Sequence, residues 1–133
     1  MGTVGRLVQK EIKRIAHTAS VRDAAKRMRD EQVGSLFVDR GGTIVGIVTD
    51  TDVARRGVAD GADLNKMPVE LIMTSPVAMI EASRTVQDAH DMMGDLGVRH
   101  LGVSEQGRLM GVISVRDLLA HYKRVSEPKI GQD

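Results

Sequence analysis

Two short stretches of this sequence place a hydroxyl three residues ahead of a carboxylate, directly after an apolar run. They are Gly46-Ile47-Val48-Thr49-Asp50-Thr51-Asp52 and Gly111-Val112-Ile113-Ser114-Val115-Arg116-Asp117. That spacing can do two kinds of work. It is a helix-capping box, in which each side chain satisfies the other residue's backbone N–H. It is also the outline of a nucleotide site. A helix start at a strand's end offers an anion unpaired N–H groups and the positive end of the helix dipole. A carboxylate there repels phosphate but accepts two hydrogen bonds from a vicinal diol. Hydroxyl for phosphate and carboxylate for ribose together specify a nucleotide better than either alone. Spacing by itself leaves both readings open.

The elements that must position these residues occur twice. Shifted by 65 positions, residues 4–53 lie over 69–118 without a gap, and thirteen of the fifty pairs are identical. Average residue usage gives about four identities by chance. Each copy opens on a short extended piece, Ile12–Ile15 or Val77–Ile80. Ser20-x-x-Asp23 and Thr85-x-x-Asp88 then announce a helix. Val21, Ala24, Ala25 and Met28 fall on one face of the first such helix. Val86, Ala89, Met93 and Leu96 do so on the second, where Gly97 is the expected stop and Gly94 weakens the interior by about 1 kcal/mol. The runs Ser35–Asp39 and Thr43–Val48, like His100–Ser104 and Arg108–Ile113, read as hairpins closed by glycine. A second helix starts from Thr49 or Ser114. The fold class expected is therefore α+β, with two strand–helix–strand–strand–helix repeats. The expected bounds are 1–60 for the first, 61–68 for a glycine- and proline-marked connector, 69–124 for the second, and 125–133 for a flexible tail.

Composition narrows the function. The 133 residues have 28% charged and 41% hydrophobic side chains, ordinary for a globular protein, and no cysteine for a disulfide or thiolate metal site. No apolar run reaches membrane-helix length and the N-terminus lacks an apolar signal core, so a cytoplasmic location is expected. Net charge is +1, although residues 1–30 carry eight Lys or Arg. Phe37 and Tyr122 are the sole aromatics, too few to stack single strands, which disfavours nucleic acid. His17, His90, His100 and His121 are scattered without metal-ligand spacing. Asp50 and Asp52 lack a nearby acid or nucleophile to complete a reaction. No catalytic residue, metal site or enzyme is expected.

The repeated pattern of glycine, two apolar residues, Thr or Ser, and an aspartate three residues on resembles tandem cystathionine-β-synthase (CBS) domains, the Bateman module. The resemblance runs from residue 4 to about 122 and is supported by Val69-Glu-Leu-Ile-Met-Thr-Ser-Pro76, Val98-Arg-His-Leu-Gly-Val103 and Val33-Gly-Ser-Leu-Phe-Val38. It implies a pseudo-two-fold CBS-domain pair, with helices outside two facing sheets and two clefts between repeats. It implies a regulatory ligand of the adenosine class, AMP, ADP, ATP or S-adenosylmethionine, rather than a resident cofactor. By that resemblance Asp52 and Asp117 bind ribose hydroxyls, Thr49 and Ser114 sit near phosphate, and Ile47 and Val112 pack on the base. Asp117 shares its pocket with Lys13, Val33 and Gly34, and Asp52 shares its own with Ala78, Val98 and Arg99. The resemblance further implies a homodimer and an unidentified regulated protein as partners.

The copies also differ. Arg99-His100 stands where the first copy has Gly34-Ser35, and Arg116 where it has Thr51. Arginine suits bidentate phosphate contact and histidine adds conditional charge, so the Asp117 site is expected to be the better polyanion site. Arg56 matches a frequent family arginine, and a solvated helix face explains it equally well. Two other functions compete: a structural or oligomerisation subunit whose motifs are caps only, and a nucleic-acid binder using the basic N-terminal strip.

Overall fold

The structure, a computed structural model, describes residues 2–126. In chain order its first elements are α1 (Val4–Leu7), β1 (Arg14–Ala16), α2 (Val21–Glu31), β2 (Ser35–Arg40), β3 (Thr43–Thr49) and α3 (Asp50–Asp52), which runs on as a π-helical stretch, Val53–Val58. After a 3-10 turn at Val69–Leu71 come β4 (Met79–Glu81), α4 (Val86–Leu96), β5 (His100–Glu105), β6 (Arg108–Ser114) and α5 (Val115–Ser126). Val125 and Ser126, expected in a tail, close α5; the remainder of that tail lies outside the described residues.

The described residues form two three-stranded sheets, β1-β2-β3 and β4-β5-β6, as the α+β reading requires. In each, the first strand pairs parallel to the second and the hairpin pairs antiparallel. A parallel neighbour needs a crossover, and α2 and α4 supply it. The hairpin loops have two residues, with φ +60° and +88° at Gly41 and Gly42 and +52° and +78° at Gln106 and Gly107. Positive φ at both positions matches the right-handed twist of the strands. The crossover helices start as their sequences direct: the Ser20 hydroxyl accepts from Asp23 N–H, and Thr85 and Asp88 form a reciprocal capping box. They end on left-handed residues, Gln32 and Gly97.

The described residues divide into two compact units that do not follow chain order: residues 12–77, and residues 2–11 with 78–126. Each has its own core. In the 12–77 unit Val21, Ala24 and Met28 of α2 cover Ile15, Leu36, Val38 and Val48. In the other, Val86, Ala89 and Met93 of α4 cover Ile80, Leu101, Val103 and Ile113. The short leading segments complete these cores from elsewhere in the sequence. Val4 and Val8 enter the core of the β4–β6 unit, while Val69 and Ile72 enter that of the β1–β3 unit. Full burial of a valine contributes about 1.5–3 kcal/mol.

The two leading segments dock in one register. Val4 and Gly5 N–H donate to the Arg84 and Ala82 carbonyls at 2.8 and 2.9 Å; Val69 and Glu70 N–H donate to those of Ala19 and His17 at 2.8 and 3.2 Å. Farther on, Gln9 bridges to Val112 and Thr74 to Ile47. Each contacted strand carries a bulge beside this contact: Val45 of β3 and Met110 of β6 are left out of the pairing, where the register shifts past Val38 and Val103. There Gly46 and Gly111 make room. A Cβ on Gly46 would lie 2.6 Å from Met73 Sδ and 2.9 Å from the Thr74 carbonyl, and one on Gly111 would strike the Gln9 carbonyl.

Candidate functional site

Both hydroxyl–carboxylate motifs sit at the strand-to-helix elbow closing their hairpin, and both are formed capping boxes. At the first, Asp52 Oδ2 accepts from Thr49 N–H at 3.0 Å and from the Thr49 hydroxyl at 3.1 Å, while Thr49 Oγ1 accepts from Asp52 N–H at 3.2 Å. At the second, Asp117 Oδ2 accepts from Ser114 N–H at 2.8 Å and its hydroxyl at 3.0 Å, and Ser114 Oγ accepts from Asp117 N–H at 3.3 Å. One oxygen of each carboxylate thus serves the cap and Oδ1 points elsewhere. Residues outside the motif reach for it. The Thr74 hydroxyl lies 3.4 Å from Asp52 Oδ1, and Gln9 Nε2 donates to Asp117 Oδ1 at 3.2 Å.

The topology gathers the other candidates at the same end of each sheet. Because the first two strands are parallel and the third antiparallel, the starts of the first two lie beside the end of the third. In the 12–77 unit the Lys13 carbonyl accepts from Phe37 N–H, Val33 N–H closes α2 on the Met28 carbonyl, and the Gly34 carbonyl accepts from Asp50 N–H at 3.0 Å. Ile47 is buried and pairs with Phe37. Lys13 directs its ammonium to Glu31, 3.2 Å away. In the second unit Ala78, Val98 and Arg99 repeat these bonds to Gly102, Met93 and Val115, and Val112 pairs with Gly102. His100 pairs with Ser114 across the hairpin, and Arg116 is exposed on the first turn of α5.

Two residue pairs with one backbone geometry therefore carry different charge. The first elbow holds Asp50, whose carboxylate takes Thr51 N–H at 2.8 Å, and Asp52, only 7% exposed. Arg56 compensates in part: its Nε is 3.9 Å from Asp52 Oδ1, but its Nη1 donates to the Ile72 and Met73 carbonyls at 3.3 and 3.1 Å. It fastens the Val69–Thr74 segment. The second elbow has Val115 at the Asp50 position, with its N–H on the Arg99 carbonyl, His100 opposite Ser114 in the register, and an exposed Arg116 just ahead of a half-buried Asp117. Gln9 and Thr74 are the residues that motif reading misses. Their signal is present, since they occupy one position of the repeat, but nothing local links either to a carboxylate more than twenty residues away.

The CBS domain family model matches twice, over residues 4–59 and 69–124, with both elbows inside the matches. The chain belongs to the CBS-domain family. CBS-domain proteins are in general regulatory. An uncharacterized 17.7 kDa protein of Acidianus ambivalens is 38% identical over 101 residues, which span 74% of this chain and 60% of that one. The CBS domain-containing protein YhcV of Bacillus subtilis is 26% identical over 118 residues, 89% of this chain and 84% of its own. Among solved structures, a candidate signal-transduction protein with CBS domains from Burkholderia ambifaria superposes with a TM-score of 0.87 at 31% identity, covering 98% of this chain and 99% of that one. Among the described residues no helix is long and apolar enough to cross a membrane, and no group of three or more His, Asp or Glu is placed to hold a metal ion.

Proposed function

We propose that this chain is a regulatory module that binds an adenosine-class ligand, AMP, ADP, ATP or S-adenosylmethionine, at its second elbow, and signals occupancy to a partner protein as a homodimer. What supports the reading is the make-up of the second elbow, where Arg99, His100 and Arg116 adjoin Ser114 and Asp117 along the backbone. Arginines beside a helix start favour the phosphate-bearing members of that set. Asp117 Oδ1, which accepts from the Gln9 amide, is the acceptor a ribose diol would take over from Gln9. Val112 supplies an apolar neighbour for the base. Bound phosphate would neutralise the arginines and favour one packing of the module over another, which is how occupancy becomes a signal.

Calorimetric titration with AMP, ATP and S-adenosylmethionine tests this on protein freed of co-purified ligand. Binding by the wild type, its loss in Asp117→Asn and its retention in Asp52→Asn are the expected results. No binding of any of the three at millimolar concentration would sink the proposal.

A second reading has its own support at the first elbow. Asp52 is buried, satisfied by Thr49 and approached by the Thr74 hydroxyl, so that motif serves as a cap. A chain in which both elbows are caps only would be a structural subunit. Asp117→Asn would then cost about 1 kcal/mol of stability with no binding to lose.

A further inference from the structure

We infer that the free edge of β4 and the adjoining face of α4 form a groove for an extended segment of a partner protein, one that carries arginine beside apolar residues. The inference rests on the regulated partner proposed above and not on its ligand. The two repeats differ here in a whole set of residues. In the 12–77 unit the matching edge is closed by the chain itself. Arg27 Nη1 donates to the Arg14 carbonyl, and Glu31 holds Arg27 at 2.8 Å and Lys13 at 3.2 Å. All four members of this bridge are apolar 65 positions on, where Lys13, Arg14, Arg27 and Glu31 give way to Ala78, Met79, Met92 and Leu96. The second repeat has therefore lost the bridge as a unit.

What the exchange leaves is an open strand edge beside an apolar strip. Toward β5, the Ala78 carbonyl takes Gly102 N–H and Ala82 N–H gives to the Ser104 carbonyl, both at 2.8 Å. Alternate residues of a strand face its parallel neighbour, so Met79 turns its N–H and C=O to the free edge. Among the described residues none donates to the Met79 carbonyl, whereas the Arg14 carbonyl has Arg27. Ile80, next in the strand, lines a groove of about 370 Å³ with Met92 and Leu96, rimmed by Asp88, Asp91, Asp95 and Arg84. Arg84 pairs with Asp88 at 3.1 Å, so the surplus negative charge lies at Asp91 and Asp95, both exposed. That charge selects a cationic occupant, and the apolar strip selects one with an apolar side chain to lay on it. An unpaired strand edge offers its backbone groups to an extended segment. The first repeat shows which cation suits the carbonyl: a guanidinium, with donors to spare for a carboxylate.

Fluorescence anisotropy with the full chain, free of nucleotide, tests this with two labelled probes. One is a short peptide of alternating arginine and leucine, the other its glutamate and leucine counterpart. Saturable binding of the arginine peptide alone is expected, weakened by added salt, with amide shifts at Met79–Glu81 and along α4. Met92→Arg with Leu96→Glu rebuilds the bridge of the first repeat and should weaken binding at least about tenfold. Asp91→Asn with Asp95→Asn, confined to exposed positions, should weaken it about threefold or more. Both double variants are first checked for an unchanged melting curve. The groove is overturned by no binding of the arginine peptide at millimolar concentration, equal binding of both peptides, amide shifts confined to other elements, or wild-type affinity in either variant. Each of those results leaves the adenosine ligand to its own titration at Asp117.

Discussion

At the scale of single residues, chemistry here is decided by neighbours more than by motif. Thr49 with Asp52 and Ser114 with Asp117 make the same three hydrogen bonds, yet Asp52 is buried with the Thr74 hydroxyl and Arg56 near its Oδ1, whereas Asp117 is half-buried with Gln9 on its Oδ1. Glycines divide the same way. Gly46 and Gly111 are held by the backbone that passes over them, whereas Gly94 has nothing within 4 Å of its would-be Cβ. Gly46→Ala and Gly111→Ala should each cost about 1–3 kcal/mol. The larger loss is expected at Gly111, where the obstacle is main chain. Gly94→Ala should instead gain about 1 kcal/mol, since the helix loses its most flexible residue. Urea denaturation of the three variants checks both signs.

At the scale of elements, what the sequence announces is whatever is local. Hairpin loops, capping boxes and the apolar faces of α2 and α4 depend on residues a few positions apart, and they stand where periodicity puts them, except that Leu96, expected on the apolar face of α4, is 54% exposed at the helix end. Two elements differ from expectation. The helix after Thr49 is a single α turn widening into a π-helical run, with Gly57 buried where a Cβ would lie 3.2 Å from Leu64. The Val69–Leu71 turn packs on the unit it follows, held by side chains that no local pattern pairs. Glu70 accepts from Arg40 at 2.6 Å and lies 2.9 Å from His17 Nδ1. The His17 and then the Arg40 hydrogen bonds hold the Glu70 carboxyl below its usual range. A depressed folded-state value stabilises the fold above the unfolded pKa, about 4.3 for glutamate, and that stabilisation is lost as pH falls through the folded value. Glu70→Gln should therefore melt lower than the wild type at neutral pH, with the gap closing in acid. Melting temperatures across that range measure it.

At the scale of the whole molecule, repeats and compact units are different divisions of one chain. The duplication is legible because Val4 matches Val69 and Ile15 matches Ile80 at the same spacing. That each leading segment completes the core of the other repeat is a long-range fact: Val4 shares one core with Val86, and Val69 shares the other with Val21. Val4→Ala should cost about 2 kcal/mol. Its effect on hydrogen exchange should fall on β4–β6, the strands of its own core, and leave β1–β3 protected. The exchange also imposes a timetable. Residues 12–77 are contiguous, so that unit has all its parts once Val77 has left the ribosome. Val4 and Val8 are made before that unit but belong to a core whose later members, Ile113 and Leu118, come about a hundred residues on. At roughly 5–20 residues per second that is a wait of roughly 5–20 s. A segment made ahead of residues 12–77 is thus buried only after they are complete.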